Sequence, residues 1–168
     1  MAESHLTIRP ARAGDIAAIT AIYRRSVLEE TASFELEPPD ESEMLQRMAT
    51  ITEAGYPYLV AEAKGMIAGY AYASAFRPRP AYRHTVENTV YVAKSHWRQG
   101  VARKLLTQLI SECRDRDFLQ MIGIVGGADH EGSLQLHQSL GFEKVGQPKK
   151  VGFKHGKWLD TIYLQKEL

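Results

Sequence analysis

The stretch VYVAKSHWRQGVARKLL, Val90–Leu106, joins a β-rich run to an amphipathic helix through a basic, glycine-bearing turn. Helix starts favour Ser, Thr, Asp or Asn, whose side-chain oxygens occupy the free backbone N–H groups. None of these stands at this join. Arg98, Arg103 and Lys104 crowd it instead, with Gly100 between the first arginine and the helix. Open donors ringed by positive charge are expected where an anion such as a phosphate completes the cap. The plainer alternative is a solvated helix start whose arginines only aid solubility, since short glycine motifs also match by accident.

Working outward, TVENTVYVA (Thr85–Ala93) is rich in β-branched and aromatic residues and reads as a strand. Downstream, Val101, Leu105, Leu109 and Cys113 form one helical stripe. LQMIGIVG follows as a strand, then GSLQLHQSLGF as a short helix closed by Gly141. Two last strands are expected around Glu143–Phe153 and Trp158–Glu167, joined at His155-Gly156. Upstream, HLTIRPA (His5–Ala11) reads as a first strand. Ile16, Ile19, Ile22 and Tyr23 give a helix with Asp15 near its start. TASFELEPPDE is a loop, and Asp40 leads a second helix with Met44, Leu45, Met48 and Ile51 on one face. Tyr58–Ala63 and Met66–Phe76 form a hairpin about Lys64-Gly65, and RPRPAYR is a loop. The order β-α-α-β-β-β-α-β-α-β-β describes a mixed α/β domain with helices covering a sheet.

A chain of 168 residues fits one domain, residues 1–168, with a sizeable core. Lys+Arg 21 against Asp+Glu 20 leaves a net charge of +1, which gives no basic field for nucleic acid. Cys113 is the single cysteine, so no intrachain disulfide forms. Residues 1–20 lack an apolar signal core, and no apolar run approaches the roughly 20 residues that cross a bilayer. The expectation is a cytoplasmic protein without a membrane partner. The six histidines make no metal pattern: His130 and His137 are seven apart without a clustered carboxylate or thiolate, so no metal is expected.

With RHTVENTVYV, SLQLHQSLGF, VGFKHGKWLD and IRPARAGD set around the opening stretch, the chain resembles the GCN5-related N-acetyltransferase (GNAT) superfamily. The nearer likeness is to its phosphinothricin and methionine sulfone/sulfoximine N-acetyltransferase branch. The pieces span nearly the whole chain in order. The resemblance implies an acyl-CoA N-acyltransferase fold, with a strongly twisted, mostly antiparallel mixed sheet flanked by helices. It also implies acetyl-CoA as cosubstrate, an amino-acid-like small molecule as acceptor, and a homodimer formed near the KHGKW turn, Lys154–Trp158. RQGVAR (Arg98, Gln99, Gly100, Val101, Ala102, Arg103) corresponds to the family's Q/R-x-x-G-x-G/A turn, which holds the pyrophosphate. Trp97 departs from the pattern, standing where the family usually has Gln or Arg.

An open strand edge can bond an amide-bearing pantetheine arm as it would another strand. By resemblance the backbones of Val90 and Val92, flanking Tyr91, fall where the family's fourth and fifth strands splay. A backbone N–H near Val90 is the expected donor to the thioester oxygen. For the side chains, a plain core role stands. Acyl transfer needs a neutral amine and hence a base. Glu87 lies in an otherwise apolar strand whose desolvation would raise its pKa. A strand glutamate paired across the sheet is the alternative, but the resemblance matches Glu87 to the branch's catalytic carboxylate. His137 stands where many superfamily members carry a tyrosine that protonates the leaving thiolate; a histidine hydrogen-bonded at a core edge is the other reading. Ser133 is expected beside the cofactor, whereas His130 replaces a frequent asparagine. For the acceptor, Arg77 is expected to clamp a carboxylate, Phe34 to form the opposite wall, and Asn88 and Thr89 to add hydrogen bonds. The rival readings are another amine (a drug, a polyamine or a protein N-terminus) and a non-catalytic acetyl-CoA-binding module.

Overall fold

The computed structural model describes residues 6–127 and 131–168. The expected strand start at His5 and the cofactor position of His130 lie outside the described residues. The elements in chain order are β1 (Leu6–Pro10), α1 (Ile16–Glu29), α2 (Glu41–Glu53), β2 (Tyr58–Ala63), β3 (Met66–Ala75) and β4 (Thr85–Val92). Then follow α3 (Val101–Arg114), β5 (Gln120–Gly126), α4 (Glu131–Ser139), β6 (Glu143–Gly146), β7 (Gly152–Lys154), β8 (Lys157–Leu159) and β9 (Thr161–Glu167).

Seven strands form one sheet in the order β1-β2-β3-β4-β5-β9-β6. Every neighbouring pair is antiparallel except β4 with β5. The mixed, mostly antiparallel sheet expected from the sequence is therefore present. Period-two alternation divides it into two faces. Leu59, Ala61, Ala73, Val86 and Met121 pack on α3, whose Leu105, Leu106, Leu109 and Cys113 are fully buried. Tyr58, Val60 and Tyr70 face the other way, toward Ile16, Ile19 and Ile22 of α1 and Met44 and Met48 of α2. Burying one such leucine contributes about 1.5–3 kcal/mol, so the α3 stripe alone anchors the element.

Local chemistry explains the element starts. Asp40 caps α2 by accepting the Glu43 N–H at 2.8 Å. In IRPARAGD, Arg9 forks onto Asp15 at 2.8 and 2.9 Å and reaches Glu62 at 2.9 Å, tying the first strand to the entry of α1.

The end of the chain corrects the sequence reading. The two long last strands are four: β6 pairs with β9 in the main sheet, and β7 and β8 form a separate two-stranded ribbon. Pro148 cannot donate to a ladder, and the Asp160 carboxylate takes the Lys150 N–H at 2.9 Å and the Gln147 side chain at 3.1 Å. These contacts pull the chain out of the sheet between the paired segments.

Candidate active site

The sheet opens at β4. On one side this strand pairs with β3 as far as Val92 against Gly69; on the other it meets β5 only from Thr85 to Asn88. Beyond Gly123, β5 runs on with β9 alone. The Ala93 N–H donates to the Ala68 carbonyl at 2.8 Å, bracketing the Val92–Gly69 pair. That turns the N–H and C=O of Val92 away from β3, and alternation along the ladder turns those of Val90 the same way. Val90 thus presents a main-chain donor and acceptor, and Val92 a donor, where β5 has departed. Their side chains pack on the α3 core. Tyr91, between them, points to the opposite face against Tyr23, ring centroids 5.2 Å apart.

Below this edge α3 begins without a side-chain cap. Its N-cap residue, Gly100, has φ 77°, a left-handed conformation that costs glycine little. The first helical bond runs from the Lys104 N–H to the Gly100 carbonyl at 3.1 Å, so the helix does not spend the amides of Val101, Ala102 and Arg103. Arg98, also left-handed at φ 58°, is exposed beside them. Gln99 turns its amide back onto the Ser95 carbonyl at 3.0 Å, and Arg103 is tied to Ser139 of α4 at 2.7 Å. Trp97 donates its indole N–H to the Val92 carbonyl at 3.0 Å, with the Arg25 guanidinium 4.7 Å from its ring centre.

A cleft of about 830 Å³ runs past this edge, within the range of roughly 300–1,000 Å³ typical of ligand sites. Val90, Val92, Trp97, Ala102, Ser133 and Leu136 line one end; Tyr23, Phe34, Glu35, Arg47, Tyr72, Glu87 and Thr89 line the other. Glu87 is half-buried. Its cross-strand neighbours are Ser74 and Ile122, and among the described residues its carboxylate has no hydrogen-bond or ion-pair partner. The strand-surface ion pair is therefore not what the fold builds. Burial raises the Glu87 pKa above the ordinary carboxylate range, and the charge of Arg77 only opposes the shift.

The remaining expected residues divide. Thr89 and Phe34 border the cleft. Asn88 also borders the cleft, from the opposite face to Glu87: it is buried, with its amide engaged by Ile122 O at 3.4 Å and His137 Nε2 at 3.1 Å. His137 is 4% exposed, and its Nδ1 donates to the Ser133 carbonyl at 2.8 Å. Burial lowers its pKa. Arg77 is exposed, stacked 5.1 Å over Phe76, and lies outside the cleft lining.

Sequence reasoning missed Tyr23, Glu35 and Arg47. The Tyr23 hydroxyl donates to Glu35 at 2.6 Å and meets Ser33 Oγ at 2.9 Å, while Arg47 pairs with Glu35 at 2.8 Å. Burial pushes the Glu35 carboxyl up, but Arg47 and Tyr23 outweigh it and leave its pKa lowered. The only signal in the sequence was that Glu35 adjoins Phe34; Arg47 also pairs with Glu43 one turn away on α2.

The fold that carries this strand edge and helix start is shared with known proteins. The family model described as "Acetyltransferase (GNAT) domain" matches residues 8–163. The chain belongs to this acetyltransferase family. It is 48% identical over 168 residues to a phosphinothricin N-acetyltransferase from Alcaligenes faecalis, covering 100% of this chain and 85% of that one. An L-methionine sulfoximine/L-methionine sulfone acetyltransferase from Salmonella typhimurium is 38% identical over 97% of this chain and 95% of its own. The crystal structure of a GNAT-superfamily phosphinothricin acetyltransferase from Sinorhizobium meliloti, in complex with acetyl-CoA, superposes with a TM-score of 0.94. It is 49% identical, over 97% of this chain and 88% of that one. The chain is therefore an acetyl-transferring enzyme similar to the phosphinothricin and methionine sulfone acetyltransferases, and the Sinorhizobium meliloti relative holds acetyl-CoA. The residues of this chain fit that group: unspent amides at the positive end of α3 suit the pyrophosphate, and the outward N–H and C=O of Val90 with the N–H of Val92 suit the amide-bearing arm.

Proposed function

We propose that this enzyme acetylates the α-amino group of a small amino-acid-like acceptor of the phosphinothricin, methionine sulfone or methionine sulfoximine type, by direct transfer. The observation that carries the reading is Glu87, a half-buried carboxylate in the cleft without a partner among the described residues, three residues from the Val90 edge. Bound acetyl-CoA supplies a thioester whose acyl carbon an amine can attack. Val101, Ala102 and Arg103 offer N–H groups to its pyrophosphate, and exposed Arg98 adds charge. The Val92 N–H would align the arm, and the Val90 N–H would stabilise negative charge growing on the thioester oxygen. Glu87 accepts the acceptor's ammonium proton, directly or through water, freeing the nitrogen lone pair. His137 acts in this reading as a positioning residue that bridges Ser133 of α4 and Asn88 of β4, rather than as the acid to the thiolate. Arg77, outside the cleft lining but close enough for its charge to act on Glu87, would meet the acceptor carboxylate, and Phe34 and Thr89 border the acceptor.

The relatives' names support an amino-acid-like acceptor, and the Arg47–Glu35–Tyr23 network supports a polar one. Exposed Phe153 and Trp158, whose tilted rings lie 5.0 Å apart on the β7–β8 ribbon, support a homodimer. The buried, unpaired Cys113 is compatible with a cytoplasmic location. The test is thiol release from acetyl-CoA against methionine sulfone, methionine sulfoximine, phosphinothricin, methionine and spermidine. Turnover of the sulfone, the sulfoximine or phosphinothricin and not of spermidine is expected. Spermidine turnover alone would overturn the acceptor class.

A further inference from the structure

The acceptor side of the cleft rests on a loop, residues 30–36, that is held from the far end of the chain. Lys154, in β7, is 3% exposed and donates its Nζ to the Ser33 carbonyl at 2.6 Å, across 121 residues of sequence. A buried ammonium persists only where it is well bonded. Here it lies near Glu30 and Glu35, both at the cleft. Ser33, itself 5% exposed, passes the restraint on: its hydroxyl meets Tyr23, which bonds Glu35.

The next residue is fixed by an independent device. The Phe34 ring sits in a slot between two glycines. A Cβ on Gly126 would stand 2.7 Å from Phe34 Cε1, and one on Gly152, two residues before Lys154, would overlap the same ring. The slot therefore exists only because both positions lack a side chain. The ring fills it and still lines the cleft.

We propose that Lys154 and Gly152 make the β7–β8 ribbon the positioning device for the acceptor wall, so that acceptor recognition, and not donor binding, depends on it. This inference rests on the acceptor end of the cleft assigned above. Lys154 acts through Ser33 and is a positioning residue; Phe34 is the surface it positions. Loss of the Lys154 bond frees the Ser33 carbonyl and lets the wall drift. A methyl at Gly152 displaces the ring itself. Neither change touches the Val90–Val92 edge or the start of α3.

The experiment compares wild type, Lys154→Met and Gly152→Ala as full chains. Acetyl-CoA affinity is measured by calorimetry, steady-state kinetics use methionine sulfone, and backbone hydrogen exchange is followed across residues 30–36 and 101–114. Both variants are expected to raise the sulfone KM about tenfold or more, the scale of one charge-assisted hydrogen bond. The kcat should stay within about twofold and acetyl-CoA affinity should not move, a split that marks lost acceptor binding. Exchange should quicken in residues 30–36 alone. An unchanged KM with unchanged exchange overturns the proposal, as does a loss of acceptor and donor binding together with faster exchange in both segments. If wild type acetylates nothing offered, the acceptor class is wrong, and the exchange comparison still decides whether Lys154 holds the loop.

Discussion

Glu87 carries two opposed consequences of one environment. Its pKa is raised by burial, so the folded chain holds this proton more tightly than the unfolded one. Stability from the group is therefore full below the unfolded carboxylate value and is lost as pH rises through the folded one. As the proposed base it would work only when ionised, so the acidic limb of kcat/KM is expected above the ordinary carboxylate value. Glu87→Gln removes both effects. Acetyl transfer should fall by about 10²–10⁴-fold, the acidic limb should vanish, and Tm at neutral pH should rise; stopped thiol-release kinetics and calorimetric melting check all three. A variant that keeps its rate would remove Glu87 from the chemistry. Glu87 was legible because one carboxylate in an apolar strand stands out. For Asn88, its neighbour, adjacency in sequence hides the alternation that sends the two side chains to opposite faces. Arg47 and Glu35 were invisible because their meeting depends on how α2 and the loop after α1 fold back on one another.

At the scale of the element, the start of α3 is where sequence and structure agree most closely. The missing cap predicted open amides, and the structure leaves them open. Gly100 tests whether its backbone shape matters. A Cβ there would meet no atom within 4 Å, so the cost of Gly100→Ala is conformational and not steric. Holding alanine at φ 77° costs about 1–2 kcal/mol. The helix can escape that cost by rotating its first turn, which misaims the three amides. Acetyl-CoA affinity measured by calorimetry should fall by about tenfold for a loss near 1.4 kcal/mol. The sulfone KM should move less. Equal losses for both ligands would mean that the turn supports the fold and not the cofactor. The four short strands after α4 were less legible, because β-branched composition marks a strand without saying which partner it takes. That choice was made by Pro148 and the Asp160 carboxylate, each acting on backbone donors.

On the scale of the whole molecule, the site arises from one parallel pair in an otherwise antiparallel sheet. β4 and β5 run together for four residues and then part, with α1 and α2 on one face and α3 and α4 on the other. The cleft thus crosses the sheet, and its two ends are governed by different parts of the chain: the donor end by α3, the acceptor end by the terminal ribbon. That ribbon also turns outward an apolar surface, with Val151 57%, Phe153 56% and Trp158 64% exposed. A homodimer that buries this surface would fix the ribbon from outside just as Lys154 and Gly152 fix the acceptor loop from inside. The expected result is a particle of twice the 18.9 kDa chain mass by light scattering. Phe153→Ser with Trp158→Ser should yield the single-chain mass, since both rings lie on the outer face and neither belongs to a buried core cluster. If assembly braces the ribbon, the monomeric variant should also show a raised acceptor KM at unchanged acetyl-CoA affinity, the same signature as Lys154→Met. A monomeric wild type would break that link and leave the internal contacts as the only restraint on the wall.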